Sequence, residues 1–197
     1  DGATRLVVLP AASDPGSAEL VGFVEAVKGV APHATGMAAA VVASGEVVVE
    51  AFVTASALAL GAIVVILGLF LRRALDIAIV LAPLALAAIM TFAASVALGL
   101  PINFANIIGL PLLLGIGVSF PIYLVIGWRR GDEGVLQTPT ARAVLFSALT
   151  TAAAFGTLAL SGHPGTAAMG TLLLLAVANL IASNLIVLPA LLAARRR

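Results

Sequence analysis

The chain is 197 residues long, 62% hydrophobic and only 10% charged, with a formal net charge of +1 and no cysteine. Soluble domains are nearer half apolar and a quarter charged, and a body this small has too much surface to hide so many apolar side chains. Composition therefore excludes a water-soluble globule. No basic stripe or aromatic platform calls for nucleic acid, and disulfide and thiolate chemistry are excluded with the cysteines.

The first 50 residues are the only extended polar stretch. The sequence begins at Asp1 with no signal peptide ahead of the first apolar span, and it reads as a piece of something longer. Residues 4–9 are rich in β-formers and stop at Pro10, which predicts a short strand. Asp14 and Pro15 are an N-cap and first helical residue. They open a predicted helix over 15–30, with Leu20, Phe23, Val27 and Val30 on one face. Pro32 ends it. From about Met37 the chain reads as a helix that continues into the first span, with Glu46 and Glu50 as its last wet positions. One strand and one helix cannot bury a core, so residues 1–50 are expected to be a small α+β remnant at the end of a larger extracytoplasmic domain.

Residues 51–197 are expected to form a transmembrane all-α bundle. A helix needs about 20 apolar residues to cross about 30 Å of hydrocarbon. Five runs qualify: 51–71, closed by Arg72 and Arg73; 77–98, closed by Gly99 and Pro101; 107–126, closed by Trp128 and Arg129; 144–161, closed by Gly162 and Pro164; and 166–194, closed by the terminal arginines. Within these bounds no run contains Asp, Glu, Lys, Arg or His. One such charge at mid-bilayer costs about 2.5–3.5 kcal/mol. Pro111 and Pro121, with Gly109, Gly115 and Gly117, make the third run the least regular. That irregularity suits either a broken helix lining a path or close packing of small residues.

Orientation follows the Lys/Arg bias. Eight of the ten basic residues (Arg72, Arg73, Arg129, Arg130, Arg142 and Arg195–Arg197) fall on one side of such a bundle, which is therefore read as cytoplasmic. Residues 1–50 then lie outside, holding Arg5 and Lys28 against six acids. The arginines at the span ends read as topology anchors on anionic lipid.

Several stretches carry a resemblance. Gly99-Leu-Pro-Ile-Asn-Phe-Ala-Asn-Ile-Ile108, Leu110-Pro-Leu-Leu-Leu-Gly-Ile-Gly-Val118, Ile122-Tyr123 and Trp128-Arg129 resemble the hopanoid-transporter branch of the RND superfamily, near the MMPL lipid exporters. So do Phe146-Ser-Ala-Leu-Thr-Thr151, Ser161-Gly-His-Pro-Gly-Thr166, Val30-Ala-Pro and Ala34-Thr-Gly36. The resemblance implies a transporter of twelve spans in two halves, each half with a large periplasmic loop. This chain would supply the last five spans and the end of the second loop. It further implies a bacterial inner-membrane protein that moves hopanoid-type lipids toward the outer membrane on the proton gradient. Its implied partners are membrane lipids, the N-terminal half of the same transporter, and a second copy if it dimerises. No cofactor or metal is implied.

The resemblance also points to site residues. MMPL-type relatives carry an Asp-Tyr pair after Gly-Ile-Gly-Val; Ser119 and Phe120 stand there in this chain. A proton acceptor would then sit in the other half, unless this copy is uncoupled. Ser119 and Tyr123 are four apart on one helix face, as are Ser147 and Thr151, with Thr150 beside them. They form either a relay face toward the other half or ordinary interhelical hydrogen bonds. Asn103 and Asn106 mark the outer mouth of the third span, as part of a lipid path or as caps. His163 sits in a Gly-Pro turn, as a shuttle or as a turn residue. Asn179, Ser183 and Asn184 are expected to bond a neighbouring helix. Protease, hydrolase and phosphate-loop motifs are absent, which argues against an enzyme. A general MMPL-like lipid exporter and a non-transporting half-copy acting as a scaffold are the other readings left open.

Overall fold

The computed structural model describes residues 6–10, 18–100, 109–131 and 135–195. These residues form six α-helices and a 3₁₀ turn at Val135–Gln137. Five of the helices are long and apolar enough to cross a membrane. The chain divides into two compact units, Asp1–Ala51 and Phe52–Arg197.

In the first unit, α1 (Ala18–Val30) has Glu19 in its first turn and Lys28 in its last, each favourable with the helix dipole. Leu20 and Val24 are its buried side chains. No strand occurs among the described residues, so the expected α+β remnant is not there. Residues 6–10 lack regular structure, and Leu6 and Leu9 are 86% and 80% exposed. The physical reason is that β-propensity makes no strand without a second chain segment to take its hydrogen bonds. Asp14 and Pro15, the expected start of α1, lie outside the described residues. An apolar groove between residues 6–10, α1 and the turn at Pro32 is lined by Val8, Phe23 and Val27.

The long helix α2 (Met37–Leu71) runs from the first unit into the second. Among the most apolar residues of α2 only 6% are buried. It meets the bundle near its C-terminus, where Leu67 and Leu71 are buried and Ile63 packs beside them. Arg72 follows with φ 55°, a left-handed conformation that few non-glycine residues take. The chain then enters α3 (Ala74–Ala97). Gly99, at φ 65°, ends α3. Its N–H donates to the Val96 carbonyl at 3.1 Å, and that of Leu100 to Ser95 at 2.9 Å. This is the Schellman arrangement, and the left-handed position is one glycine occupies without a Cβ penalty.

Third in the bundle is α4 (Gly109–Arg129), unbroken despite Pro121 inside it. The helix α5 (Pro139–Ala159) starts five residues ahead of the expected apolar run, because Thr138 caps it and Pro139 sits at its start. The Thr138 hydroxyl accepts from the Ala141 N–H at 3.1 Å, as an N-cap should. Last comes α6 (Pro164–Ala194).

The core is built on α6, which packs on α3, α4 and α5. Leu173, Val177, Leu180, Asn184, Leu188 and Leu192 recur every three or four residues along its buried face, the helical period. One cluster joins Leu67, Leu71, Val80, Leu124, Leu188 and Leu192; the other joins Leu84, Ala87, Phe120, Ala148 and Leu180. Small residues set the closest approaches. Gly117 is buried against Leu84 and Leu180 and Gly109 lies against Leu173, as close packing of small residues requires, whereas Gly115 is exposed with nothing within 4 Å. At Gly170 an added Cβ would land on the backbone of Leu158 and Ala159, so α5 and α6 touch main chain to main chain there. Bilayer helices have little hydrophobic drive toward one another and rely on such contacts.

Gly170→Val is expected to destabilise the bundle by about 1–3 kcal/mol through overpacking. Gly156→Ala, where a Cβ meets nothing within 4 Å, should leave it unchanged or slightly more stable. Unfolding in detergent, followed by circular dichroism, checks both.

Candidate functional site

At the arginine-rich end of the bundle α3 starts at Ala74, three residues before the expected span, and so takes in Asp76. The second span, expected from residue 77 and free of acids, is thus part of a helix that carries one in its first turn. A search for uninterrupted apolar residues must begin after an acid, whereas a helix starts where its backbone bonds start. Asp76 is 1% exposed, the sole buried charged side chain among the described residues. It accepts a hydrogen bond from Arg195 of α6. The Nε of Arg129, the last residue of α4, lies 3.8 Å from its second oxygen. The same Arg129 donates through its Nη1 to the Leu71 carbonyl at 3.1 Å, filling an acceptor that the end of α2 leaves open. The guanidinium of Arg195 lies 5.3 Å from the Trp128 ring centroid, within cation–π range.

Helix dipoles explain why these residue types stand at these positions. Asp76 occupies the first turn of α3, while Arg129 and Arg195 occupy the C-terminal ends of α4 and α6. An acid is favoured at the first kind of position and a cation at the second. Two of the arginines read as lipid anchors, Arg129 and Arg195, lie against this carboxylate. Arg72, Arg73, Arg130 and Arg142 are exposed.

The hydroxyl candidates lie on α4 and α5, and their hydrogen bonds close within each helix. Ser119 donates to the Ile116 carbonyl at 2.7 Å. Thr150 and Thr151 both donate to the Ser147 carbonyl, at 2.8 and 2.9 Å. Tyr123 is 55% exposed, and Ser147 and Thr150 are exposed as well. Side chains bonded to their own helix leave the face available without requiring a partner. Asn103 and Asn106 lie outside the described residues. His163 is an exposed N-cap of α6 whose side chain makes no cap bond. Its backbone N–H donates to the Ser161 hydroxyl at 3.2 Å and its carbonyl accepts from Ala167 at 2.9 Å. Its visible work is that of a turn residue.

Of the polar residues on α6, Asn179 crosses to another helix, donating to the Thr91 hydroxyl of α3 at 3.2 Å. That hydroxyl in turn donates to the Ala87 carbonyl at 2.7 Å. Asn184 bonds its own helix at the Leu180 carbonyl, 2.8 Å away. Its amide oxygen and the Ser183 hydroxyl are buried without a hydrogen-bond partner.

The decisive observation is sequence similarity over nearly the whole chain. The chain is 46% identical over 191 residues, 97% of its length, to the hopanoid transporter HpnN of Rhodopseudomonas palustris (strain TIE-1). This chain is HpnN-like. The HpnN of Burkholderia multivorans is likewise 46% identical, over 155 residues and 79% of the chain. The chain spans only about a fifth of these relatives, 22% and 18% of their lengths. No family model matches it. With five apolar helices and transporters as relatives, it is a multi-pass membrane protein.

Asn179→Ala removes the bond between α6 and α3. It is expected to cost about 0.6 kcal/mol and no more than about 1.7, the range for such bonds between membrane helices. Chemical unfolding in detergent measures it, with Thr91→Ala in the same background giving the coupling.

Proposed function

We propose that the chain is the C-terminal membrane part of a bacterial RND-type transporter that moves hopanoid-type lipids from the inner membrane toward the outer membrane. One observation carries the reading: 46% identity over 97% of the chain to a hopanoid transporter. The fold is compatible with it, since a bundle left exposed along most of α2 and at Tyr123 and Phe146 of α4 and α5 has room for the other half of the molecule. Asp76 stands at the cytoplasmic end, and residues 1–50 are the end of the second periplasmic loop.

The transporter runs on the proton gradient. In this half Ser119 replaces the acid of MMPL-type relatives, and Asp76 is held by two arginines. In this reading the proton-coupling carboxylates belong to the other half. Ser119, Tyr123, Ser147, Thr150 and Thr151 form the polar face presented to them. Asn103, Asn106 and His163 border the lipid path at the periplasmic mouth. A scaffold without transport is the reading that the absent acid would favour.

Deleting the gene should lower the hopanoid content of the outer membrane and raise that of the inner membrane, as read by mass spectrometry of separated membranes. An unchanged distribution rejects the cargo, and unchanged transport of every lipid class favours the scaffold. Topology has its own check. Ala34→Cys should react with an impermeant maleimide added to intact spheroplasts, and Arg142→Cys only after the membrane is opened. The reverse pattern would overturn the orientation.

A further inference from the structure

Four helix ends meet around one carboxylate. Asp76 lies in the first turn of α3 and is 1% exposed. Arg195 donates to it from the end of α6, and Arg129 approaches it from the end of α4 at 3.8 Å. Arg129 also holds the last carbonyl of α2 at 3.1 Å. Trp128 lies against Arg195. Each charge is favoured by the dipole of its own helix. Drawing α4 or α6 away would take from the buried carboxylate one of the two arginines that offset its charge, a costly change for a buried ion.

Toward the other end the polar attachments are weaker. Asn179 to Thr91 is a neutral bond between α6 and α3, and such bonds contribute little in membranes. The end of α3 closes on itself through Gly99 and Leu100. The His163 side chain caps nothing. Charged cross-links are thus concentrated at the arginine-rich end among the described residues.

We propose that Asp76, Arg129 and Arg195 form a fixed pivot. Through it the ends of α3, α4 and α6, with the last turn of α2 hung on Arg129, move as one body during the working cycle, and rearrangement of these helices is confined to their opposite ends. The claim about cycling rests on the transporter reading; the claim that the three charges are coupled does not. Asp76, Arg129 and Arg195 are therefore positioning residues and touch no cargo.

The test uses the full-length transporter with its other cysteines replaced. Asp76→Cys with Arg195→Cys should lose most lipid transport as free thiols and regain it when a short bis-methanethiosulfonate linker joins the pair. A linked protein that stays inactive, or a free-thiol protein that transports normally, overturns the pivot. As a second functional variant, Arg195→Lys should retain transport where Arg195→Gln loses it; equal behaviour of the two also overturns it. Independently of transport, Asp76→Asn and Arg195→Gln should each lower the melting temperature, and the double variant should fall no further than the worse single. Additive losses, or none, would remove the coupling itself. A wild-type protein that moves no hopanoid would sink the transport reading, while the melting cycle still judges the charges.

Discussion

In a bilayer, lipid is as apolar as leucine, so burying one more leucine holds two helices together only weakly. Everything that fixes this bundle follows from that constraint. The contacts that matter are places where backbones come close and the few polar atoms that have no water to turn to. Gly170 provides the first kind of contact against Leu158 and Ala159. Asp76 with its two arginines, and Asn179 with Thr91, provide the second. The helix α6 takes part in each of them, which is why it is the most buried of the five membrane helices, at 39% of its apolar window.

The same constraint orders the charges. Nowhere along the hydrocarbon-length stretches does a charged side chain interrupt the apolar sequence, yet at the ends charge is abundant and arranged by sign. The acid stands where α3 begins, and the arginines stand where α4 and α6 finish. Because neighbouring helices run antiparallel, the start of one lies beside the finish of others. Dipole-favoured positions of opposite sign are thereby neighbours in space, although Asp76 and Arg195 are 119 residues apart in the chain.

Much of this was legible in sequence. Apolar run length gives the five long helices and their order, since a hydrophobic stretch of that length has few other uses. Capping chemistry was on view too, and where it was not used the boundaries slipped. Thr138 and Pro139 announce the start of α5 more sharply than hydropathy does. Asp76 is hidden for the same reason: in sequence Arg72, Arg73 and Asp76 read as a polar linker, and only helix geometry carries the acid into the first turn of α3. Residues 6–10 fail in the opposite way. Their β-propensity is real, but a strand is a property of two segments, and among the described residues no second one pairs with them. The hydroxyls of α4 and α5 lay beyond sequence reasoning, because a threonine bonded to its own helix and one reaching across a gap look identical in one dimension. The family resemblance rests on motifs in the turns, such as Ser161-Gly-His-Pro-Gly-Thr166, and on others inside the spans, such as Leu110-Pro-Leu-Leu-Leu-Gly-Ile-Gly-Val118.

The main-chain contact at Gly170 has a consequence for how α5 is held in lipid. Of the five apolar helices, α5 is the least hydrophobic, with mean hydropathy 1.3 against 2.3 for α6, and it starts with polar Thr138, Thr140 and Arg142. It is long and apolar enough to cross a membrane, with the smallest margin of the five. Joined to α6 by the short turn at Ser161–His163 and in touch with it at Gly170, it can partition as one half of a hairpin whose other half is strongly lipophilic. The close approach that the glycine permits sets the less apolar α5 directly against the more apolar α6.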